Sequence, residues 1–203
     1  MQKSGIFTNE EYSVIINKNS KILNFNKLQN CTIYSATIMG SDIANSVVAT
    51  GAIVKHSCLS GTIIRRSATV GPFSNLREGS VIGENVRIGN FVETKNSNIG
   101  EKTKVAHLTY VGDATIGKSV NVGCGVVFCN YNGKIKQKTF VSDNVFIGSN
   151  SNLIAPLWID KNSFIAAGST ITNNIPSNCL AIARSRQINK ENYINNNWGD
   201  NKW

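Results

Sequence analysis

Two histidines, His56 and His107, are the only imidazoles among the 203 residues. A free imidazole titrates near ~6.5 and can therefore accept a proton at neutral pH. His107 stands in VAHLTYVGD, between Val105 and Val111, two aliphatics that belong to a longer repeat. That places it near a corner of the chain's path, facing outward. His56, in VKHSC, reads as structural or surface. Position alone leaves two readings of His107 open, a base or a structural side chain. Two tight turns, Gly123–Gly125 and Gly148–Ser149, offer backbone N–H groups of the kind that stabilise an oxyanion. The net charge is +9. It suits an anionic partner (a phosphorylated small molecule, a nucleotide cosubstrate or nucleic acid) and equally a solvated basic surface. No Lys/Arg block and no aromatic stacking motif of the nucleic-acid type is present. The five cysteines, Cys31, Cys58, Cys124, Cys129 and Cys179, are odd in number and form no CxxC, which argues against a disulfide framework and a zinc site.

The elements that must position these groups are visible in the spacing. Val141, Ile147, Leu153, Ile159, Ile165 and Ile171 return at every sixth position. A helix face repeats at 3 or 4 and a half-buried strand at 2, so the period of 6 marks a hexapeptide repeat. Each hexad makes one short strand and one corner. The aliphatic points inward, and Asn, Asp, Ser and Gly take the corners. Ile82, Ile88 and Thr94 are also six apart, as are Ile99, Val105, Val111 and then Ile116, Val122, Phe128. Successive triplets start 17 residues apart, one short of three full hexads, so one residue is dropped per turn at the same corner. The expectation is a stacked triangular prism, an all-β parallel β-helix. Ile33, Ile38, Ile43, Val47, Ile53, Ile63 and Val70 are read as irregular first coils. Residues 130–140, NYNGKIKQKTF, fit no hexad and are read as a protruding loop carrying Lys134, Lys136 and Lys138. The expected division is a lead-in over 1–30, the β-helix over 31–176 and a tail over 177–203. No apolar run is long enough to cross a bilayer and no secretory h-region opens the chain, so a cytoplasmic location is expected.

Several segments in order carry a resemblance: GPFSNLREGSVIGENVRIGNFVETK, AHLTYVGDATIGKSVNVGCGVVFCNYNGKIKQKT, VFIGSNSNLIAP, AAGSTIT and LAIARSRQ. Together they resemble the acetyltransferase half of the bacterial bifunctional enzyme of UDP-N-acetylglucosamine synthesis. In that family a glucosamine-1-phosphate N-acetyltransferase is fused to an N-acetylglucosamine-1-phosphate uridylyltransferase. The likeness is close over about 70–188 and general over 31–70. It implies left-handed coiling, a homotrimer and active sites between subunits. It matches His107 to the family's catalytic base and Glu93 to a family glutamate, a residue type suited to hold the other ring nitrogen and fix the tautomer. It matches Arg77, Lys95, Tyr110, Asn121 and Lys136 to sugar-phosphate contacts. It matches Cys124, Asn130, Tyr131, Ser149, Ala167 and Arg184 to acetyl-CoA contacts. At Cys124 the family usually has a small residue, often alanine.

The resemblance therefore implies N-acetylation of glucosamine 1-phosphate, or a close relative, with acetyl-CoA as cosubstrate and no metal. The amine must lose a proton before its nitrogen attacks a thioester, which suits a neutral imidazole. Arg77, Lys95 and Lys136 are suited to charge-assisted hydrogen bonds with a phosphate. No signature of the uridylyltransferase half is seen, and that second reaction is not expected. Two alternatives stand beside this reading: an acyltransferase on another amino sugar or sugar nucleotide for surface polysaccharide, and a non-enzymatic β-helix assembly subunit.

Overall fold

The computed structural model of the protein describes residues 13–193. These residues form 26 short strands, paired throughout in parallel, that wind into a left-handed parallel β-helix of about 10 turns. Three flat faces meet at three corners. The first face stacks Ile82 on Ile99, Ile99 on Ile116, Ile116 on Val141 and Val141 on Ile159. The second stacks Ile88, Val105, Val122, Ile147 and Ile165. The third carries Thr94, Val111, Phe128, Leu153 and Ile171. All of these residues are buried, as the six-residue period requires. Burying each aliphatic contributes roughly 1.5–3 kcal/mol, so the stacked interior is the main support of the fold. The only polar member, Thr94, donates its hydroxyl to Ser80 Oγ at 2.8 Å.

Corner geometry accounts for the repeat length. In the hexads a residue with positive φ follows the buried aliphatic by three: Asn85, Lys102, Ser119 and Asn144 after the first face. At the third corner it follows by two, at Asn96 (φ 47°) after Thr94 and Asp113 (φ 50°) after Val111. That is the dropped residue. Asparagine and aspartate tolerate this left-handed conformation because their short side chains bond locally.

From Leu28 to Val48 the first coils use the short corner at every turn. Leu28, Ile33, Ile38, Ile43 and Val48 are fully buried, and Asn30, Ser35, Gly40 and Asn45 follow the first four by two with positive φ. The repeat there is a pentad rather than an irregular hexad. This corrects three inward assignments. Val47 and Ile63 are exposed and Ile53 is only half-buried, while Val48, Val54 and Ile64 fill the interior.

The expected boundaries also shift. Val14–Ile16 pairs with Cys31–Ile33, and Lys21–Leu23 with Thr37–Met39, so the lead-in supplies a coil of its own. Leu180–Ala181 pairs with Phe164–Ile165, so the solenoid continues past residue 176. The remaining lead-in and tail residues, 1–12 and 194–203, lie outside the described residues. The loop leaves after Cys129, closes an antiparallel bridge between Tyr131 and Lys136, and rejoins the first face at Thr139–Val141. Among the described residues no helix is long and apolar enough to cross a membrane.

Candidate active site

His107 lies in the long strand Lys104–Gly112, which turns the corner between the second and third faces. It pairs with Asn90 on the coil before, and its side chain is exposed. The same corner recurs on the next three coils. Gly125 N–H donates to Leu108 O, Asn150 N–H to Cys124 O and Gly168 N–H to Ser149 O. His107, Cys124, Ser149 and Ala167 therefore occupy one edge of the prism in sequence order. With coils about 4.8 Å apart, the edge runs about 14 Å from imidazole to Ala167. Its last three side chains are small and exposed. Arg184, also exposed, continues the line: a Cβ built on Gly168 would sit 3.8 Å from Arg184 Cδ.

The glycines beside this edge have a packing reason. A Cβ on Gly123 would lie 2.6 Å from Ser149 N, closer than a methyl group tolerates. The amides of Gly123, Gly125 and Gly148 are used in the coil ladder, each bonding a carbonyl of a neighbouring coil. They are not available to an oxyanion, contrary to the sequence expectation for those glycines. The amides of Cys124 and Ser149 make no backbone bond among the described residues. They are donors this edge offers near the imidazole, and the Ala167 amide is likewise unbonded among the described residues.

A second group gathers across the third face. Glu93 and Tyr110 are in register and point outward, with Asn75 on the coil before Glu93. Arg77 and Lys95 begin the far corner. Arg77 Nη1 donates to Glu93 Oε1 at 2.9 Å, and this bond holds the guanidinium above its ordinary pKa. Within one protomer the bonding partner of Glu93 is Arg77. Asn130 is buried and Tyr131 and Lys136 are exposed on the loop above this corner. Asn130 Nδ2 donates to Asp113 Oδ2 at 2.5 Å and lies 3.4 Å from the Tyr110 hydroxyl. Asp113 was not singled out from the sequence, although it closes the HLTYVGD segment. Burial pushes the neighbouring Cys129 thiol up, which keeps it protonated and unreactive at neutral pH.

Asn121 stands apart from both groups. It is in register with Lys104 on the second face, on the other side of the His107 edge from Tyr110. Within one protomer, then, the imidazole and the phosphate-suited cations sit at opposite corners of a face. About five extended residues, roughly 16 Å, separate them.

A left-handed parallel β-helix built of hexapeptide coils defines the structural class. Residues 61–96 match the family model for bacterial transferase hexapeptide (six repeats). Within that class the chain is similar to the acetyltransferase domain of bifunctional protein GlmU. It is 52% identical over 166 residues to GlmU of Shouchella clausii (strain KSM-K16), an alignment covering 82% of this chain and 36% of the relative. It is 54% identical over 157 residues to GlmU of Thermosipho melanesiensis, covering 77% and 34% respectively. The chain thus spans little more than a third of the length of these curated relatives. Among solved structures, UDP-N-acetylglucosamine acyltransferase of Francisella novicida aligns with a TM-score of 0.47 at 16% identity, covering 84% of this chain and 65% of that one, too distant to assign residues.

Proposed function

We propose that the protein is an acetyl-CoA-dependent N-acetyltransferase acting on glucosamine 1-phosphate or a closely related amino-sugar phosphate. The observation that carries this reading is the ordered edge. One base is followed by three small side chains and then an arginine, which fits an elongated thioester whose reactive end lies at His107 and whose phosphates reach Arg184. His107 removes a proton from the acceptor's ammonium, and the freed nitrogen attacks the thioester carbonyl. The C–N bond forms, the C–S bond breaks, and the thiolate leaves to be protonated as free CoA. Cys124 N–H and Ser149 N–H stabilise the oxyanion between those events.

The 16 Å or so between His107 and the Lys95 corner exceeds the length of one amino-sugar phosphate. A site using both groups is completed by a second copy, whose Arg77, Lys95 and Lys136 hold the phosphate beside the first copy's imidazole. This supports a homotrimer with its sites between protomers and explains how Asn121 can share a ligand with Tyr110. A thiol-release assay across glucosamine 1-phosphate, other amino-sugar phosphates and sugar nucleotides tests the proposal. Preference for glucosamine 1-phosphate is the expected result. Preference for a sugar nucleotide favours the surface-polysaccharide alternative. No release with any acceptor, and no acetyl-CoA binding by calorimetry, favours an assembly subunit.

A further inference from the structure

We propose that Asp113 is a positioning residue for this site: its buried carboxylate fastens the neck of the 130–138 loop and sets Asn130 against Tyr110. Asp113 is 7% exposed, and a carboxylate so placed is unfavourable unless its oxygens are bonded. No ion pair among the described residues reaches it. Two side-chain amides satisfy it instead. Asn96 Nδ2 donates to Oδ1 at 2.6 Å and Asn130 Nδ2 to Oδ2 at 2.5 Å.

The choice of aspartate follows from this arrangement. Earlier on the same corner, Asn30 Nδ2 donates to Asn45 Oδ1 at 3.3 Å, so asparagine suffices where one coil follows another. At Asp113 the next coil is interrupted by the loop. The residue there must accept an amide from the coil below and a second from the loop's first residue. A carboxylate presents one acceptor oxygen to each amide, whereas asparagine presents one oxygen and sets an NH₂ against the amide on its other side. The backbone repeats the grip: Thr139 N–H donates to Asp113 O at 3.3 Å where the loop returns, and Gln137 N–H to Asn130 O at 2.7 Å. Gly112 leaves room for the assembly, since a Cβ there would overlap both the Tyr110 hydroxyl and the Asn130 amide. Asn130 thus takes its place beside Tyr110 from one buried carboxylate, at the neck from which Tyr131 and Lys136 project.

The inference rests on the proposed acetyltransferase reading for its kinetics, and its structural half is measured without substrate. In Asp113→Asn, tryptic cleavage after Lys134, Lys136 or Lys138 and amide exchange at Gln137 and Thr139 are expected to rise about tenfold. KM for acceptor and acetyl-CoA should rise by a similar factor, with kcat less affected. The reciprocal pair Asp113→Asn with Asn130→Asp restores one donor to one acceptor and should recover the loop protection. Asn96→Gly, which removes only the lower amide, should leave it nearly unchanged. Wild-type loop protection in Asp113→Asn, or no recovery in the reciprocal pair, overturns the proposal. If Asp113→Asn does not fold, Asn130→Ala reads the same bond from the loop side, and an unloosened loop there overturns it equally. If the wild-type protein transfers no acetyl group, the enzymatic reading fails, and the proteolysis and exchange results still decide the role of Asp113 at the neck.

Discussion

Arg77 and Glu93 are joined by a 2.9 Å hydrogen-bonded ion pair that bridges two neighbouring coils at the edge of the third face. Both side chains are about two-fifths exposed, at 42% and 39%. An ion pair this open contributes little to stability. Its consequence is geometric: it aims the guanidinium that the phosphate of an acceptor would meet. Arg77→Ala and Glu93→Ala should therefore each raise the acceptor KM, and the double variant should raise it no further than Arg77→Ala alone. Steady-state kinetics on the four proteins measure the coupling. Additive effects would mean that Glu93 acts independently of Arg77.

The pair also shows which links were readable without coordinates. Glu93 and Arg77 were both singled out, but a sequence states spacing along the chain and not which outward side chain meets which on the next coil. The same reason hid Asp113. Its partners lie 17 residues away on either side, and only the short corner after Val111 marks it as equivalent to Asn96. The fold was far more legible from Ile82 onward, because a six-residue period survives any choice of neighbour. In the first coils the period switches between five and six, and Val47-Val48, Ile53-Val54 and Ile63-Ile64 each offer two aliphatics in succession. Residue type then cannot say which one faces in.

That register has a direct energetic test. Ile64 is completely buried and Ile63 is 42% exposed. Ile64→Ala should lower the unfolding free energy by about 2–5 kcal/mol, since it opens a cavity in a stack that cannot collapse around it. Ile63→Ala should change it by less than about 1 kcal/mol. Urea unfolding followed by far-UV circular dichroism compares the two. Equal losses would contradict the inward assignment of Ile64.

His107 is the group on which the proposed proton transfer turns. Its side chain is exposed, and among the described residues its backbone is what is bonded to the fold, through strand pairing and the Thr109 hydroxyl. His107→Ala should leave the unfolding midpoint nearly unchanged and lower kcat by roughly 10²–10⁴-fold. A thiol-release assay beside a thermal melt separates the two effects. Retained turnover would remove the imidazole from the proton transfer.

The edge above His107 makes the last prediction. Ala167 is exposed two coils beyond Cys124, between the imidazole and Arg184, so a large side chain there fills the path along the corner without entering the core. Ala167→Trp should raise the acetyl-CoA KM at least about tenfold while the acceptor KM and the melting temperature stay close to wild type. Arg184→Ala should also weaken acetyl-CoA. Its effect should shrink with a thioester of pantetheine alone, which lacks the phosphates a guanidinium would pair with. Ala167→Trp should weaken both thioesters alike, because it obstructs the arm they share. If the tryptophan variant binds acetyl-CoA normally, the cosubstrate does not run along this edge, and the order His107, Cys124, Ser149, Ala167 would reflect only the coil repeat.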